Sequence, residues 1–228
     1  MLPQQKGNAM KNDLATLQKA MAPALPQEDQ LLEKGLLGGK YLPQLRLCSS
    51  GALVTDHNIK PGNYCLVQGD NVENLGAKVD FIPLTHRAKA VDYEAGVNSY
   101  DMDSNVFMDI KDRAGEKDSG CVYGLEFLAW LPSCEKFVVM FCNSASLRRA
   151  SSGILAREFK GVHGESNMVE GKKKNQKWAV PVWSDIDPEI QLNIPEADKV
   201  KEQITKFLEE AKKSDDVELA DDDSGREL

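Results

Sequence analysis

Apolar positions in the first forty residues fall into two short, helix-spaced groups. Asp13 caps a segment that carries Leu14, Leu17 and Met21 on one side and ends at Pro23; Pro26 starts a second around Leu31 and Leu32, closed by Gly35 and the Gly38-Gly39 pair. Residues 1–39 therefore read as a helical arm ahead of the core. From Tyr41 the spacing shortens. Leu45 and Leu47 alternate with Gln44 and Arg46, Pro61-Gly62 turns into Tyr64-Cys65-Leu66-Val67, and Gly76 precedes a long segment from Lys78 to Tyr93. These are strands of a β-meander. Pro83 cannot donate to a ladder, so a bend or bulge is expected there, with Arg87 and Lys89 projecting together from one face beyond it.

Glu94 to Gly120 is polar, and only Val106, Phe107, Met108 and Ile110 suggest a short strand within it; it is expected to be a long, mobile loop. The strongest β signal follows. Cys121 to Leu131 and Lys136 to Cys142 are apolar and aromatic runs joined by Pro132-Ser133-Cys134-Glu135, as in a buried hairpin. Ser144 or Ser146 is placed to cap a helix over Leu147, Ala150, Ile154 and Leu155. A polar loop with Gly161, Gly164 and Gly171 then leads to a last strand from Lys177 to Trp183. Near Pro195 a final helix begins, with Val200, Ile204, Phe207, Leu208 and Ala211 on one face. Beyond Ser214 the chain has few large apolar residues and should be disordered. The expected organisation is an arm at 1–39, a β-rich core at 40–192, an amphipathic helix at 193–214 and a tail at 215–228.

The 228 residues suffice for one medium domain with appendages, and no apolar run approaches the ~18 residues of a membrane span. No apolar stretch follows the first residues, so no secretory signal is read and the expected location is cytoplasmic, the host cytoplasm if the chain is phage-encoded. Five cysteines, none in a Cys-x-x-Cys pair, read as small reduced hydrophobes; neither they nor the three scattered histidines suggest a metal, and no cofactor is expected.

Charge changes the picture more. The net charge is −8, but from Asp215 onward seven acids face one base, which puts −6 in the tail and leaves −2 for everything else. Within that near-neutral body, Leu147 to Trp178 holds eight bases against three acids. Charge is segregated into a basic stretch and an acidic tail.

Motifs for acyl transfer, zinc proteolysis, nucleotide phosphate or dinucleotide binding are missing. Asp101, Asp103, Asp109 and Asp112 offer carboxylates for Mg²⁺ in a nucleic-acid enzyme, though their strip reads as a solvated loop. Basic and aromatic residues fit another task. Single-strand binders combine a positive groove with aromatic stacking faces, and here Arg87, Lys89, Arg148, Arg149, Lys172, Lys173, Lys174 and Lys177 are candidates for phosphate, Tyr93 and Trp178 for bases. Trp130, inside its apolar hairpin, reads as core.

With a strand-rich segment from Tyr41 to Trp183, a helix at Ala145 to Glu158 before the last strand, and Asp221-Asp222-Asp223 in the tail, the layout resembles phage and bacterial single-stranded-DNA-binding proteins. The resemblance implies a mainly β (α+β) fold, an OB-like partly open β-barrel, and a non-enzymatic role coating single-stranded DNA in replication and recombination. It implies too that the tail, with Asp221, Asp222, Asp223 and Leu228, competes for the groove and recruits replication or recombination proteins. Tips in that group often end in an aromatic residue; this one ends Arg226-Glu227-Leu228. The rival expectations are a virion-associated or other structural protein, self-associating through Ile204, Phe207 and Leu208, and the Mg²⁺-dependent enzyme. Homo-oligomers fit several of these; a membrane partner fits none.

Overall fold

The computed structural model describes residues 42–49, 52–116, 118–170, 177–187 and 192–216. The expected N-terminal arm, Lys172, Lys173, Lys174, and the tail residues Asp221, Asp222, Asp223 and Leu228 lie outside the described residues. What is described is mainly β: an unclosed mixed sheet of nine strands with four helices.

The chain runs β1 (Gln44–Leu47), α1 (Ala52–Thr55), β2 (Tyr64–Gln68), β3 (Asn71–Gly76), β4 (Lys78–Asp92), β5 (Val97–Ser99), α2 (Asn105–Arg113), β6 (Cys121–Leu131), β7 (Lys136–Cys142), α3 (Ala145–Leu155), β8 (Val162–Glu170), β9 (Lys177–Asp185) and α4 (Ala197–Asp216). Across the sheet the order is β3-β2-β1-β7-β6-β4-β8-β9, with β5 also on β4. Neighbours are antiparallel except β1 and β7, which run parallel and register at Gln44 against Val139.

Strand β4 organises the rest. Residues Ile82 to Asp92 pair with β6, and Lys78 to Phe81 pair with β8. The register with β6 slips between Pro83 and Thr85, because proline has no N–H for the ladder.

Strand β6 explains why its sequence is a continuous apolar run rather than an alternating one: both of its faces are covered. Phe127, Ala129 and Leu131 join Tyr64, Phe81, Val138, Met140 and Val162 in one core, onto which α3 places Ile154. Leu128 and Trp130 point the other way, with Ile82 and Leu84, and α4 covers them with Val200 and Phe207. The Trp130 indole donates to the Asn193 carbonyl at 2.7 Å, tying the approach to α4 onto the same face. The apolar side of α4, which the structural-protein expectation offered for self-association, is thus engaged within the chain; Phe207 is 2% exposed.

Two expectations are corrected. The strip from Glu94 to Gly120 is not one loop, since it holds β5 and α2. Ser104 caps α2 by accepting from the Phe107 amide, and Phe107 and Ile110, three apart, bury one helical face. The adjacent apolar triplet disguised that spacing as a strand. Nor is the glycine-containing stretch after Phe159 only a polar loop, because Val162–Glu170 forms β8. Its glycines serve close approach: a Cβ on Gly161 would lie 2.7 Å from Ile186 Cδ1, and one on Gly164 2.7 Å from the Trp183 ring. Among the described residues, no helix is long and apolar enough to cross a membrane.

Candidate nucleic-acid interface

Arg87 and Lys89, two residues apart on β4, do share a face as expected, but the face already holds an acid. Glu126 stands directly across the ladder from Arg87. Its Oε2 accepts from Arg87 Nε at 2.7 Å and its Oε1 from Lys89 Nζ at 2.6 Å. Arg87 reaches further, donating to the Phe207 carbonyl and to Glu210 Oε2 at 3.2 Å, while its guanidinium stacks 3.9 Å from the Phe207 ring centroid and 4.2 Å from that of Tyr100. With its side chain only 7% exposed, Arg87 is a tie between sheet and α4. Burial among these groups pushes the Tyr100 phenol up.

Lys89 also lines a cleft of about 390 Å³ where β1 and β7 diverge beyond their paired position. Arg46 enters from β1, Phe141 from β7, Asn98 from β5, and Tyr93 from the turn after β4. Tyr93 is 61% exposed, so its ring is open to a partner. Beside the cleft mouth, Arg148 donates to the carbonyls of Tyr123 and Asn143 and lies 4.4 Å over the Tyr123 ring. Those contacts fix α3 against the β6–β7 pair. Arg149, next on α3, is exposed.

The second grouping is the β8–β9 ribbon. Lys177 pairs with Glu170 across the ladder at 2.7 Å, and the carboxylate holds the ammonium above its ordinary range. Trp178 stands opposite Val169 and is 37% exposed; Val169 and Val182 are exposed too, while Ala179 and Pro181, on the other face of the strand, are buried. Residues 171–176, which connect the strands, contain Lys172, Lys173 and Lys174 in sequence. Further along, His163 on β8 hydrogen-bonds Asp80 of β4 at 2.6 Å and Glu165 at 3.3 Å, and Lys78 pairs with Glu165. Hydrogen bonding to Asp80 leads the causes that raise the His163 pKa; burial opposes it.

Among the described residues the candidates lie in two places. Lys89 and Tyr93 share the cleft, and Arg148 is tied to Asn143 of its lining; Lys177 and Trp178 share the ribbon. Strand β4 runs fifteen residues from Lys78, where the ribbon joins the sheet, to the turn that holds Tyr93, while Ser49, three residues after Arg46, accepts from Ala179 of the ribbon. Reading by residue type missed Glu126, although an acid within Leu125-Glu126-Phe127-Leu128 is itself a sign of a buried pair. It also missed Arg46 and Phe141 as cleft residues.

Of the carboxylates considered for Mg²⁺, Asp109 pairs with Arg113 at 3.1 Å and Asp101 accepts from the Asp103 amide at 3.0 Å. Among the described residues no three His, Cys, Asp or Glu side chains gather as a metal site. Comparison with protein-family models, curated proteins and solved structures finds no match to this chain.

Proposed function

We propose that the chain binds single-stranded DNA without sequence preference, through the β8–β9 ribbon and the cleft beside Tyr93, on an elaborated OB-type core. The observation that carries this reading is the exposed Trp178, set beside Lys177 at the root of a lysine-rich connection. A protein that coats single strands needs such an open aromatic face next to cations.

The order of elements supports the fold part of the reading. A meander β4-β6-β7, a helix α3, and two strands β8-β9 that return to the free edge of β4 follow the order of five strands and one helix that an OB core would have. In such cores ligands use the second and third strands and the loops between strands one and two and between four and five. The corresponding places here are β6–β7, the segment from Tyr93 to Gly120, and residues 171–176. Toward its C-terminal end α4 approaches Arg87, on the sheet face that carries Lys89, through Phe207 and Glu210. That placement suits a tail that competes with DNA and, once displaced, recruits replication or recombination proteins.

Titration of intrinsic tryptophan fluorescence with oligothymidine, at two salt concentrations, tests the proposal on the full chain and on a version ending at Ser214. Quenching that weakens steeply with salt is expected, with tighter binding by the shortened chain. No quenching in either chain at low salt rejects the proposal. A second reading draws on β9 being an edge strand with exposed Val182 and Trp178: an assembly protein that docks through this ribbon. It expects self-association and no response to oligothymidine.

A further inference from the structure

Outside the candidate interface, two nucleophilic side chains meet in a small core of their own. Cys48 follows β1 and Cys65 lies in β2; both are buried, with Ile59 beside them and Leu53, Val54, Val67 and Val72 packed around. Their sulfurs are 2.7 Å apart, nearer than the about 3.5–4.0 Å at which non-bonded carbon atoms rest. A covalent bond needs a further approach of about 0.7 Å. Cys121, Cys134 and Cys142 have no such thiol contact among the described residues.

We infer that Cys48 and Cys65 form a dithiol–disulfide couple that fastens the base of the β1–β2 connection beneath the β8–β9 ribbon. The two ends of that connection touch the ribbon directly. Ser49 Oγ accepts from the Ala179 amide at 3.1 Å, one residue from Trp178, and the Gly62 carbonyl accepts from Ser166 Oγ. A bond between Cys48 and Cys65 joins residues adjacent to one contact and three positions from the other, so it limits how far either end moves from the ribbon.

The thiols differ in character. Cys48 is held below the ordinary thiol range, first by the hydrogen bond from Cys65 and further by the charge of Arg46, while Cys65 is held above it and keeps its proton. With a low-molecular-weight disulfide as oxidant, the Cys48 thiolate attacks one reagent sulfur and expels the other as a thiolate. Cys65, deprotonated, then attacks the Cys48 sulfur and expels the second reagent thiolate. The two protein protons end on the two released thiols; the protein loses two electrons and the reagent gains them. Because both sulfurs are buried, the reaction passes through local opening of this small core.

The test is incubation of the full chain with oxidised glutathione, followed by thiol counting under denaturing conditions and a non-reducing peptide map. Two of the five thiols are lost, the intact mass falls by two hydrogens, and one cross-linked peptide joins Cys48 to Cys65. Traces of urea speed the reaction, and Cys48→Ser abolishes the cross-link. Hydrogen exchange at the Ala179 amide slows on oxidation and recovers on reduction. Five free thiols after prolonged exposure with traces of urea, a stable glutathione adduct on Cys48, or a cross-link through Cys121, Cys134 or Cys142 overturns the couple. Exchange at Ala179 that ignores the redox state overturns its link to the ribbon.

Discussion

The face of β4 and β6 beneath α4 and the ribbon of β8 and β9 both carry basic residues beside aromatic ones, yet they present them differently. Under α4, Arg87 and Lys89 converge on one buried carboxylate and Arg87 lies between the rings of Tyr100 and Phe207. On the ribbon, the pair between Lys177 and Glu170 is open to solvent and Trp178 presents its ring outward. The first arrangement holds elements together; the second leaves charge and aromatic surface for a partner. A cation within a strand pattern does not reveal its role until its neighbours across the ladder are known.

The largest expected effect separates these regions by stability. Glu126→Ala leaves two cations facing each other without their carboxylate, and loss of one partner of a buried pair costs about 3–5 kcal/mol. Urea unfolding should show that loss, while binding of oligothymidine through the ribbon persists in the folded fraction. Trp178→Ala should do the reverse, with unfolding nearly unaltered and affinity falling by about 1–3 kcal/mol in the same fluorescence titration. Replacing Lys172, Lys173 and Lys174 together by alanine should flatten the plot of log affinity against log salt by about 2, at roughly 0.7 per phosphate contact on a single strand.

The smallest effect concerns the junction of ribbon and sheet. His163 is more basic in the folded chain than its ordinary value of 6.5, through Asp80 first and Glu165 as well. Its contribution to stability is fully present below that value and is lost as pH rises through the higher folded one. Thermal melts from pH 5.5 to 8.5 should therefore show a decline in the wild type that His163→Gln lacks. Equal slopes remove the ion pair from the account.

Much of the sheet was legible because its signals are local. The hairpin of β6 and β7, the helix capped by Ser144, and the disturbance at Pro83 follow from periodicity, capping and the missing proline N–H. Strand β8 was hidden for a tertiary reason: Gly161 and Gly164 make room for Ile186 and Trp183, residues that follow some twenty positions later. Helix α2 was hidden by three adjacent apolar residues that mask a helical face. For the candidate interface, sequence picked out Trp178 and Tyr93, which are exposed, but gave no hint that Arg87 answers to Glu126, thirty-nine residues away. Nor could it divide the cations between two ends of β4, since that depends on where β8 joins.

The central claim is that nucleic acid meets the ribbon and the Tyr93 cleft, and not the compensated face under α4. Photo-crosslinking with a bromouracil-substituted oligothymidine tests it most directly, with the attachment sites mapped at low salt. Adducts on peptides containing Trp178 or Tyr93, suppressed by added salt and absent at Phe207, are the predicted result. The absence of any adduct, or attachment confined to α4, would contradict it.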